Sequence, residues 1–273
     1  DHRGTPRHTC RAAMRTLRLT IAYDGTEFHG WQVQPGMRTV EGVVRDALGG
    51  MLGACGDLTA ASRTDAGVHA RGQTVSLSTG SEIDCVHLAR GLNRHLPADV
   101  AIVACQDAAA DFSARRNLGK HYRYALWLAD YDDPLGRRYH WWYRYPLDCA
   151  AMQAAAPLMT GTHEMRGLQM VSGKTHEESV RTVHAVSVTC EGARLAIDVT
   201  GQSFMYKQVR AMTGVLVAVG RGRIAPEDVP AVLAGSAGAR RFDVAPPQGL
   251  TLMEVKFPDA ALHETIQREE SIT

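Results

Sequence analysis

The chain has 273 residues, of which 45% are hydrophobic and 22% charged, and its 30 basic and 29 acidic side chains give a formal net charge of +1. This composition supports a sizeable buried core and excludes a wholly disordered chain, and no apolar run approaches the ~18–20 residues of a membrane-spanning helix. A near-neutral total neither indicates nor excludes a nucleic-acid partner, because binding depends on where the charge lies.

The beginning of the chain is predicted to be a basic leader, covering residues 1–16. It contains a series of arginines at every fourth position, which would lie along one side of a helix, and one more follows: Arg3, Arg7, Arg11, Arg15 and Arg18. An Arg-rich, acid-poor leader is typical of a mitochondrial transit peptide, which predicts a mitochondrial protein. The alternatives are a disordered leader, or a start at Met14, in a cytoplasmic protein.

Residues 17–108 are predicted to form a first lobe with the order β-α-β-β-α-β. Leu17, Leu19, Ile21 and Tyr23 alternate with polar or small residues, as in a half-buried strand. Apolar residues at helical spacing follow Thr39 and Asp84, and short strands are predicted at 58–60, 73–77 and 101–105.

Residues 109–258 repeat this order of elements without repeating the sequence. A strand is predicted at 122–128, a helix capped by Asp148, a hairpin made of 183–188 and 195–199, a long helix that begins at Ser203 and a last strand at 250–257. The two units predict an α+β fold of two ferredoxin-like lobes, whose antiparallel sheets join across a central cleft. Residues 259–273 are assigned to a polar tail.

Cysteine and histidine spacing argues against a disulfide framework and a metal centre. The six cysteines include no Cys-x-x-Cys pair, which predicts free or buried thiols in a reducing compartment. None of the twelve histidines stands in His-x-x-x-His spacing, so no metal is expected. His69 and His121 are interpreted as structural.

One polar segment of the first lobe is the candidate for catalysis: Ala61-Ser62-Arg63-Thr64-Asp65-Ala66-Gly67-Val68-His69-Ala70. Asp-x-Gly alone is typical of a solvated hairpin loop. A carboxylate two residues after a guanidinium, on a loop between rigid strands, is how a catalytic acid is presented.

This decapeptide resembles the signature of the TruA-type tRNA pseudouridine synthases. Further landmarks follow in the family's order over residues 17–258: Tyr23-Asp24-Gly25, Gly30-Trp31-Gln32, Leu92-Asn93, Leu96-Pro97, Asp111-Phe112, Lys120-His121-Tyr122-Arg123-Tyr124, Gln202-Ser203-Phe204-Met205-Tyr206, Val209-Arg210, Gly214, Ala245-Pro246 and Gly249-Leu250. Ser179-Val180-Arg181-Thr182 and residues 202–220 are most similar to the eukaryotic mitochondrial branch of the family.

The resemblance implies an enzyme that isomerises uridine to pseudouridine without a cofactor or metal. Asp65 would be the nucleophile, attacking C6 of the base or C1′ of the sugar, or would abstract the 2′ proton, and Arg210 would keep it ionised. Tyr122 would stack on the flipped uracil, Leu250 would back it, and Arg63 would hold the gap that the base leaves.

The resemblance also implies partners. The expected target is a uridine of the tRNA anticodon stem-loop, with mRNA left open as a second substrate, and the family is often dimeric, which implies a homodimer. Basic and aromatic residues of the second half form a candidate phosphate-contacting surface: Arg115, Arg116, Arg123, Arg137, Arg138, Arg144, Trp141 and Trp142. For any one of these arginines a solvated face is an equal alternative.

Two other classes of protein compete with this hypothesis. A non-catalytic RNA-binding protein on ferredoxin-like lobes would carry aromatics in an RNP-type string, which the sequence lacks. A hydrolase that uses Asp65 as an acid would need a second carboxylate or a metal cluster at a recognisable spacing, and neither is found.

Overall fold

The computed structural model describes residues 14–53, 56–170, 178–236 and 242–258. Within them, ten strands form one large, mostly antiparallel open sheet in a mixed α/β fold with five α-helices. The strands are β1 (Arg15–Tyr23), β2 (Thr59–Ala60), β3 (His69–Thr79), β4 (Val100–Ala108), β5 (Gly119–Trp127), β6 (Trp141–Trp142), β7 (Gly161–Glu164), β8 (Val180–Glu191), β9 (Arg194–Gly201) and β10 (Leu250–Lys256). The helices are α1 (Val40–Leu52), α2 (Cys85–His95), α3 (Cys149–Ala155), α4 (Gln208–Gly220) and α5 (Val229–Ala234). This architecture is compatible with the predicted α+β class.

The sheet joins the two halves of the chain through its last strand. Within the described residues the strand order is β4-β1-β3-β10-β5-β9-β8-β7, with β2 beside β3 and β6 beside β5. These neighbours pair antiparallel, except that β10 runs parallel to β3 and β6 parallel to β5. β10 therefore lies in the middle of the sheet, between strands of the first and second halves.

The elements of the first half form where the residue pattern predicts them. Leu17, Leu19 and Ile21 of β1 are fully buried, because alternate residues of a strand share one face and these three are apolar. Asp84 caps α2, since its carboxylate accepts the backbone N–H groups of Val86 and His87 at 3.1 and 3.0 Å.

The second half buries a helix along its whole length. Asp148 caps α3 by accepting the N–H of Ala151 at 2.9 Å, as predicted. The β8–β9 hairpin turns at Gly192, whose φ of 58° suits glycine. Every residue of α4 is buried, and this helix packs on α3 and β5. It is therefore a core element that can hold a side chain in a fixed position.

Several predicted boundaries are wrong, and two strands were not predicted. The strand predicted at 73–77 covers His69–Thr79, and the hairpin strands predicted at 183–188 and 195–199 cover Val180–Glu191 and Arg194–Gly201. β1 begins at Arg15, so Arg15 and Arg18 are strand residues and not part of a helical series. α4 begins at Gln208, five residues after Ser203, because Lys207 adopts a left-handed backbone conformation that ends the preceding turn. β6 and β7, of two and four residues, are too short to show a periodicity. Residues 1–13 of the predicted leader and the polar tail 259–273 lie outside the described residues.

The prediction of free thiols is wrong for one pair of cysteines. Cys149, at the start of α3, and Cys190, near the end of β8, form a disulfide, with Cα atoms 6.6 Å apart. They are 41 residues apart in sequence, and they meet only because α3 packs on β8. Cys85 and Cys105 are free, as predicted. Cys10 and Cys55 lie outside the described residues.

Across the described ranges, no helix is both long enough and apolar enough to cross a membrane.

Candidate active site

Asp65 lies on a loop, residues 61–68, that connects β2 to β3 and is held from both sides. The backbone N–H of Trp31 donates to the carbonyl of Thr64 at 3.0 Å, and the hydroxyls of Thr64 and Tyr23 lie 2.7 Å apart. Gly67 has φ +77°, which allows the tight turn after Asp65. These contacts fix the backbone on which the carboxylate is mounted.

A second loop, residues 24–39, packs directly against the first. Gly30 has φ +86°, and a Cβ at this position would lie 2.7 Å from the carbonyl oxygen of Thr64. A side chain here would push the Asp65 loop away, so the close approach of the two loops requires glycine.

The carboxylate of Asp65 faces a guanidinium from the other half of the chain. Arg210 Nη1 donates to Asp65 Oδ2 at 3.1 Å, and Arg210 Nε donates to the carbonyl of Ala245 at 2.7 Å. The Arg210 side chain is 11% exposed and that of Asp65 20%. Because Arg210 belongs to the buried helix α4 and has a second anchor, its position relative to Asp65 is fixed. The sequence prediction that these two residues meet is therefore matched by the geometry.

Two opposing effects act on the charge of Asp65. Burial raises the pKa of the Asp65 carboxyl, because a desolvated carboxylate is disfavoured. The charge and hydrogen bond of Arg210, and then the charge of Lys207, lower that pKa. The net pKa lies above the ordinary value, so Asp65 depends on its cationic neighbours to remain ionised.

Tyr122 and Leu250 share one face of the sheet beside Asp65. β5 and β10 pair so that Leu250 lies opposite Tyr124 and Leu252 opposite Tyr122, and residues two apart on a strand point to the same face. The Tyr122 hydroxyl lies 2.7 Å from Ser62 Oγ, and burial raises the pKa of Tyr122 to about 12. Its ring meets the ring of Phe204 edge-on at 5.5 Å. The tyrosine is therefore neutral and held in place.

These residues line one cavity of about 790 Å³, a size typical of ligand sites. The described residues that line it include one carboxylate, Asp65, and five cationic side chains: Arg63, Arg115, Lys120, Lys207 and Arg210. A cavity that is this positive in a chain of net charge +1 is suited to a polyanion.

The predicted phosphate-contacting arginines do not form one surface. Arg115 lines the cavity, whereas Arg123 pairs through two hydrogen bonds with Asp198, at 2.9 and 3.1 Å. Arg123 neighbours Tyr122 on β5 and so points to the opposite face of the sheet. Arg116 hydrogen-bonds to Asp111. The others are exposed side chains between residues 137 and 144: Arg137, Arg138 and Arg144.

The two histidines near the motifs make structural contacts. His69 is 3% exposed; its Nδ1 accepts the N–H of Gly25 at 2.9 Å, and its Nε2 lies 2.8 Å from the carbonyl of Arg138. Burial lowers the pKa of His69, which keeps the ring neutral. His121 Nε2 lies 2.6 Å from Asp198. In the part of the chain that the structure describes, no group of three or more His, Cys, Asp or Glu could hold a metal ion.

Sequence reasoning missed three residues of this site. Ser62 belongs to the decapeptide, and its position three residues before Asp65 could have indicated that it lies in the site. Nothing in the sequence indicated that Lys120 and Lys207 lie in the site, since a single lysine in a strand or before a helix is usually solvated. Lys120 donates to Asn117 Oδ1 at 3.1 Å, and burial lowers its pKa.

Comparison with known proteins gives a consistent result. A family model described as tRNA pseudouridine synthase matches residues 19–115 and 155–258. The tRNA pseudouridine synthase A of Pelobacter propionicus is 40% identical over 245 residues, which cover 89% of this chain and 100% of that protein. Proteins of the same name from Moorella thermoacetica and Geobacter sulfurreducens are 40% and 38% identical, with the same shares of each chain covered.

Proposed function

This chain belongs to the tRNA pseudouridine synthase family and isomerises uridine to pseudouridine in tRNA, and we propose that Asp65 and Arg210 carry the reaction on a uridine of the anticodon stem-loop. The observation that supports these roles is the 3.1 Å pair of Asp65 and Arg210 in a cavity whose other described charges are positive. The choice of the anticodon stem-loop is supported by the sequence resemblance.

The reaction needs an ionised carboxylate and no redox partner. The bond from C1′ to N1 breaks, a bond from C1′ to C5 forms, the C5 proton leaves and N1 gains a proton. Asp65 either attacks the nucleotide, at C6 or C1′, or abstracts the 2′ proton, and each of these steps requires the carboxylate form. Arg210 favours that form through its charge and fixes the direction in which the carboxylate points.

The target base must leave its stack to reach Asp65, and the cavity offers it two walls. Tyr122 presents an aromatic face on which the extruded uracil stacks, and Leu250 backs the base from the neighbouring strand. Arg63 lines the same cavity two residues from Asp65, where it can fill the gap in the RNA. The outer arginines, Arg115, Arg116, Arg123, Arg137 and Arg138, are proposed as phosphate contacts, and Arg115 has the best support because it lines the cavity.

Tyr122→Ala is expected to reduce turnover by about 10–100-fold, while binding of tRNA stays within a few-fold of wild type. Stacking on an aromatic side chain is worth about 1–3 kcal/mol per base, and the contact forms only once the base is extruded. Tyr122→Phe keeps the ring and loses the hydroxyl bond to Ser62, so its loss of turnover should be smaller. Single-turnover assays with a labelled tRNA transcript measure both.

A matched control removes the hydrogen bond of a tyrosine hydroxyl that lies outside the cavity. Tyr143 accepts from Arg221 at 3.2 Å and does not line the cavity, so Tyr143→Phe should cost stability and leave turnover unchanged. Wild-type turnover by a folded Tyr122→Ala variant would show that Tyr122 is only a core residue.

The proposed target is tested by mapping modification in tRNA. Unmodified tRNA transcripts, isolated anticodon stem-loops and mRNA fragments are incubated with the chain, and pseudouridines are mapped at single-nucleotide resolution. We expect pseudouridine in the anticodon stem-loop. Modification confined to another arm of tRNA would contradict the proposed target, and binding of RNA without any product would favour a non-catalytic RNA-binding protein.

We also propose that the two halves are two ferredoxin-like lobes, with a boundary near residue 108. The support is their strand order. The first half is arranged β4-β1-β3 with β2 beside β3, and the second is arranged β10-β5-β9-β8. Counting β1–β4 in the first unit and β5, β8, β9 and β10 in the second, with the short strands β6 and β7 left out, each unit places its first strand between its third and fourth.

A homodimer is proposed from the resemblance alone. Light scattering should then give twice the chain mass of 29.7 kDa, and a mass of one chain at micromolar concentration would contradict it.

The leader is proposed to direct the chain to mitochondria, on the support of its arginine spacing; the bacterial relatives give this no support. Residues 1–20 fused to a fluorescent reporter should carry the reporter into mitochondria. Replacing Arg3, Arg7 and Arg11 by Ala should abolish import, because the positive series is lost. A wild-type fusion that stays in the cytosol would contradict the proposal.

A further inference from the structure

Lys207 has a backbone conformation that its side chain does not favour. It has φ 58° and ψ 11°, and among the described residues it is the one non-glycine with positive φ. Glycine and asparagine adopt this left-handed region more readily than lysine does. The chain therefore places a lysine where the backbone favours another residue, and strain of this kind is concentrated at functional sites.

Contacts on both sides hold Lys207 in this conformation. The N–H of Gln208 donates to the carbonyl of Met205 at 3.1 Å, and Gln208 Oε1 accepts the N–H of Met205 at 2.9 Å. The carbonyl of Lys207 accepts the N–H of Ala211 at 2.9 Å, at the start of α4. Since Met205 and Gln208 are 4% and 1% exposed, both ends of the turn are anchored in the core, and they set the backbone from which the lysine projects.

The side chain of Lys207 lines the catalytic cavity without a partner of opposite charge. Its ammonium lies 4.7 Å from the centre of the Tyr206 ring, a ring that is 43% exposed. No direct ion pair joins Lys207 to a carboxylate of the described residues, although its charge is near enough to Asp65 to lower the pKa of that carboxyl, and Arg210, three residues later, is the residue paired with Asp65. The charge of Lys207 is thus left for something that enters the cavity.

We propose that Lys207 binds a backbone phosphate that flanks the extruded uridine, and so holds the nucleotide over Asp65. This rests on the proposed function, because phosphates are the anions that an RNA brings into this cavity. Extruding a nucleotide rotates its backbone about the flanking phosphates, and a lysine acts on such a group as a flexible point charge. One turn of the chain then presents both cations: Arg210 to the carboxylate and Lys207 to the substrate.

The test uses two substitutions that suit the backbone and remove the charge, Lys207→Asn and Lys207→Gly. Equilibrium binding of a tRNA transcript is measured in an Asp65→Asn background across a range of salt concentrations, and turnover is measured with Asp65 intact. We expect the Kd to rise about 5–10-fold and the slope of log Kd against log salt to fall by about 0.7–1, the change for one lost phosphate contact. The melting temperature should equal or exceed that of wild type, because the left-handed strain is relieved.

Two controls separate a phosphate contact from other roles. Lys207→Arg keeps the charge and should restore the salt slope and most of the affinity. Lys256→Asn makes the same charge change at an exposed position on β10 outside the cavity, and should leave Kd and slope close to wild type.

Several outcomes would overturn the proposal. Unchanged affinity and slope in Lys207→Asn would show that no phosphate is bound. If the melting temperature and the activity of these variants both fall, Lys207 has a structural role. If the salt slope of Lys207→Asn is unchanged and the acid limb of its rate profile moves to higher pH, Lys207 acts on Asp65 and not on a phosphate. If the wild-type chain binds tRNA and forms no pseudouridine, the proposed function fails, and the salt slope still reports on the phosphate contact.

Discussion

Replacing Asp65 by Asn is expected to reduce pseudouridine formation by at least about 10⁴-fold, while tRNA binding stays within a few-fold of wild type. The amide has the shape of the carboxylate, but it neither attacks an electrophilic carbon nor takes up a proton. In other enzymes, loss of a reacting group lowers the rate by a factor of this size or larger. Affinity for tRNA should hold or improve, because a negative charge that faces phosphate is removed. Asp65→Ala should be equally inactive.

The matched control for Asp65 makes the same change at an exposed aspartate upstream of the loop. Asp57 does not line the cavity, so Asp57→Asn should turn over tRNA at the wild-type rate. Product formation by Asp65→Asn at anything near that rate would remove the mechanism proposed for this site.

Replacing Arg210 by Ala is expected to lower turnover by about 100–1000-fold, the range seen when one fixed electrostatic contact is lost from an active site. Asp65 would lose both the charge that lowers its pKa and the hydrogen bond that aims it. Removing one member of a partly buried ion pair also destabilises the fold. Turnover must therefore be normalised to folded protein, measured by circular dichroism. Arg210→Lys keeps a charge in place and should retain more activity than Arg210→Ala.

The loss of turnover in Arg210→Ala should depend on pH in a defined direction. Asp65 is active when ionised, and burial already raises its pKa, so the wild-type rate should fall on the acid side at a higher pH than for an ordinary aspartate. Without Arg210 the pKa rises further, and the acid limb of the rate profile should move to higher pH. The deficit of Arg210→Ala should shrink as pH increases. A deficit that is constant with pH would mean that Arg210 aims Asp65 and does not affect its ionisation.

The two substitutions should also be coupled. If Arg210 acts through Asp65, the double variant should be no slower than Asp65→Asn alone, because the residue on which Arg210 acts is already inactive. An additive loss would assign Arg210 a separate contact with the substrate.

Sequence reasoning predicted the Asp65 loop because its signals are local. Asp65, Gly67 and the flanking strands lie within a dozen residues, so turn chemistry and alternation suffice to place the carboxylate on a loop. Arg210 was assigned by resemblance, since it lies on a mostly apolar helix that is buried along its whole length and so has no distinct polar face. The start of that helix was predicted five residues early, because a left-handed lysine has no sequence signature.

The long-range pairings could not be predicted from the residue pattern. Alternation identifies β10 as a strand and says nothing about its neighbours in the sheet, β3 and β5. The disulfide between Cys149 and Cys190 depends on the packing of α3 against β8, which no spacing rule encodes. Both features arise from tertiary contacts between segments that are far apart in the chain.

The central place of β10 has a consequence for how the enzyme is made. Asp65 is synthesised about 180 residues before Ala245, which anchors Arg210, and before Leu250, which lines the cavity. At typical rates of translation this delay is on the order of 10–40 s. Until then β3 lacks the strand that joins it to the second half, where Thr251 pairs with His69 and Leu252 with Ala70. A nascent or truncated chain that stops short of β10 lacks this strand pairing, and only contacts such as those of Asp65 with Arg210 and of Ser62 with Tyr122 would join its two halves. We expect activity to begin only after β10 has been synthesised and has paired with β3 and β5.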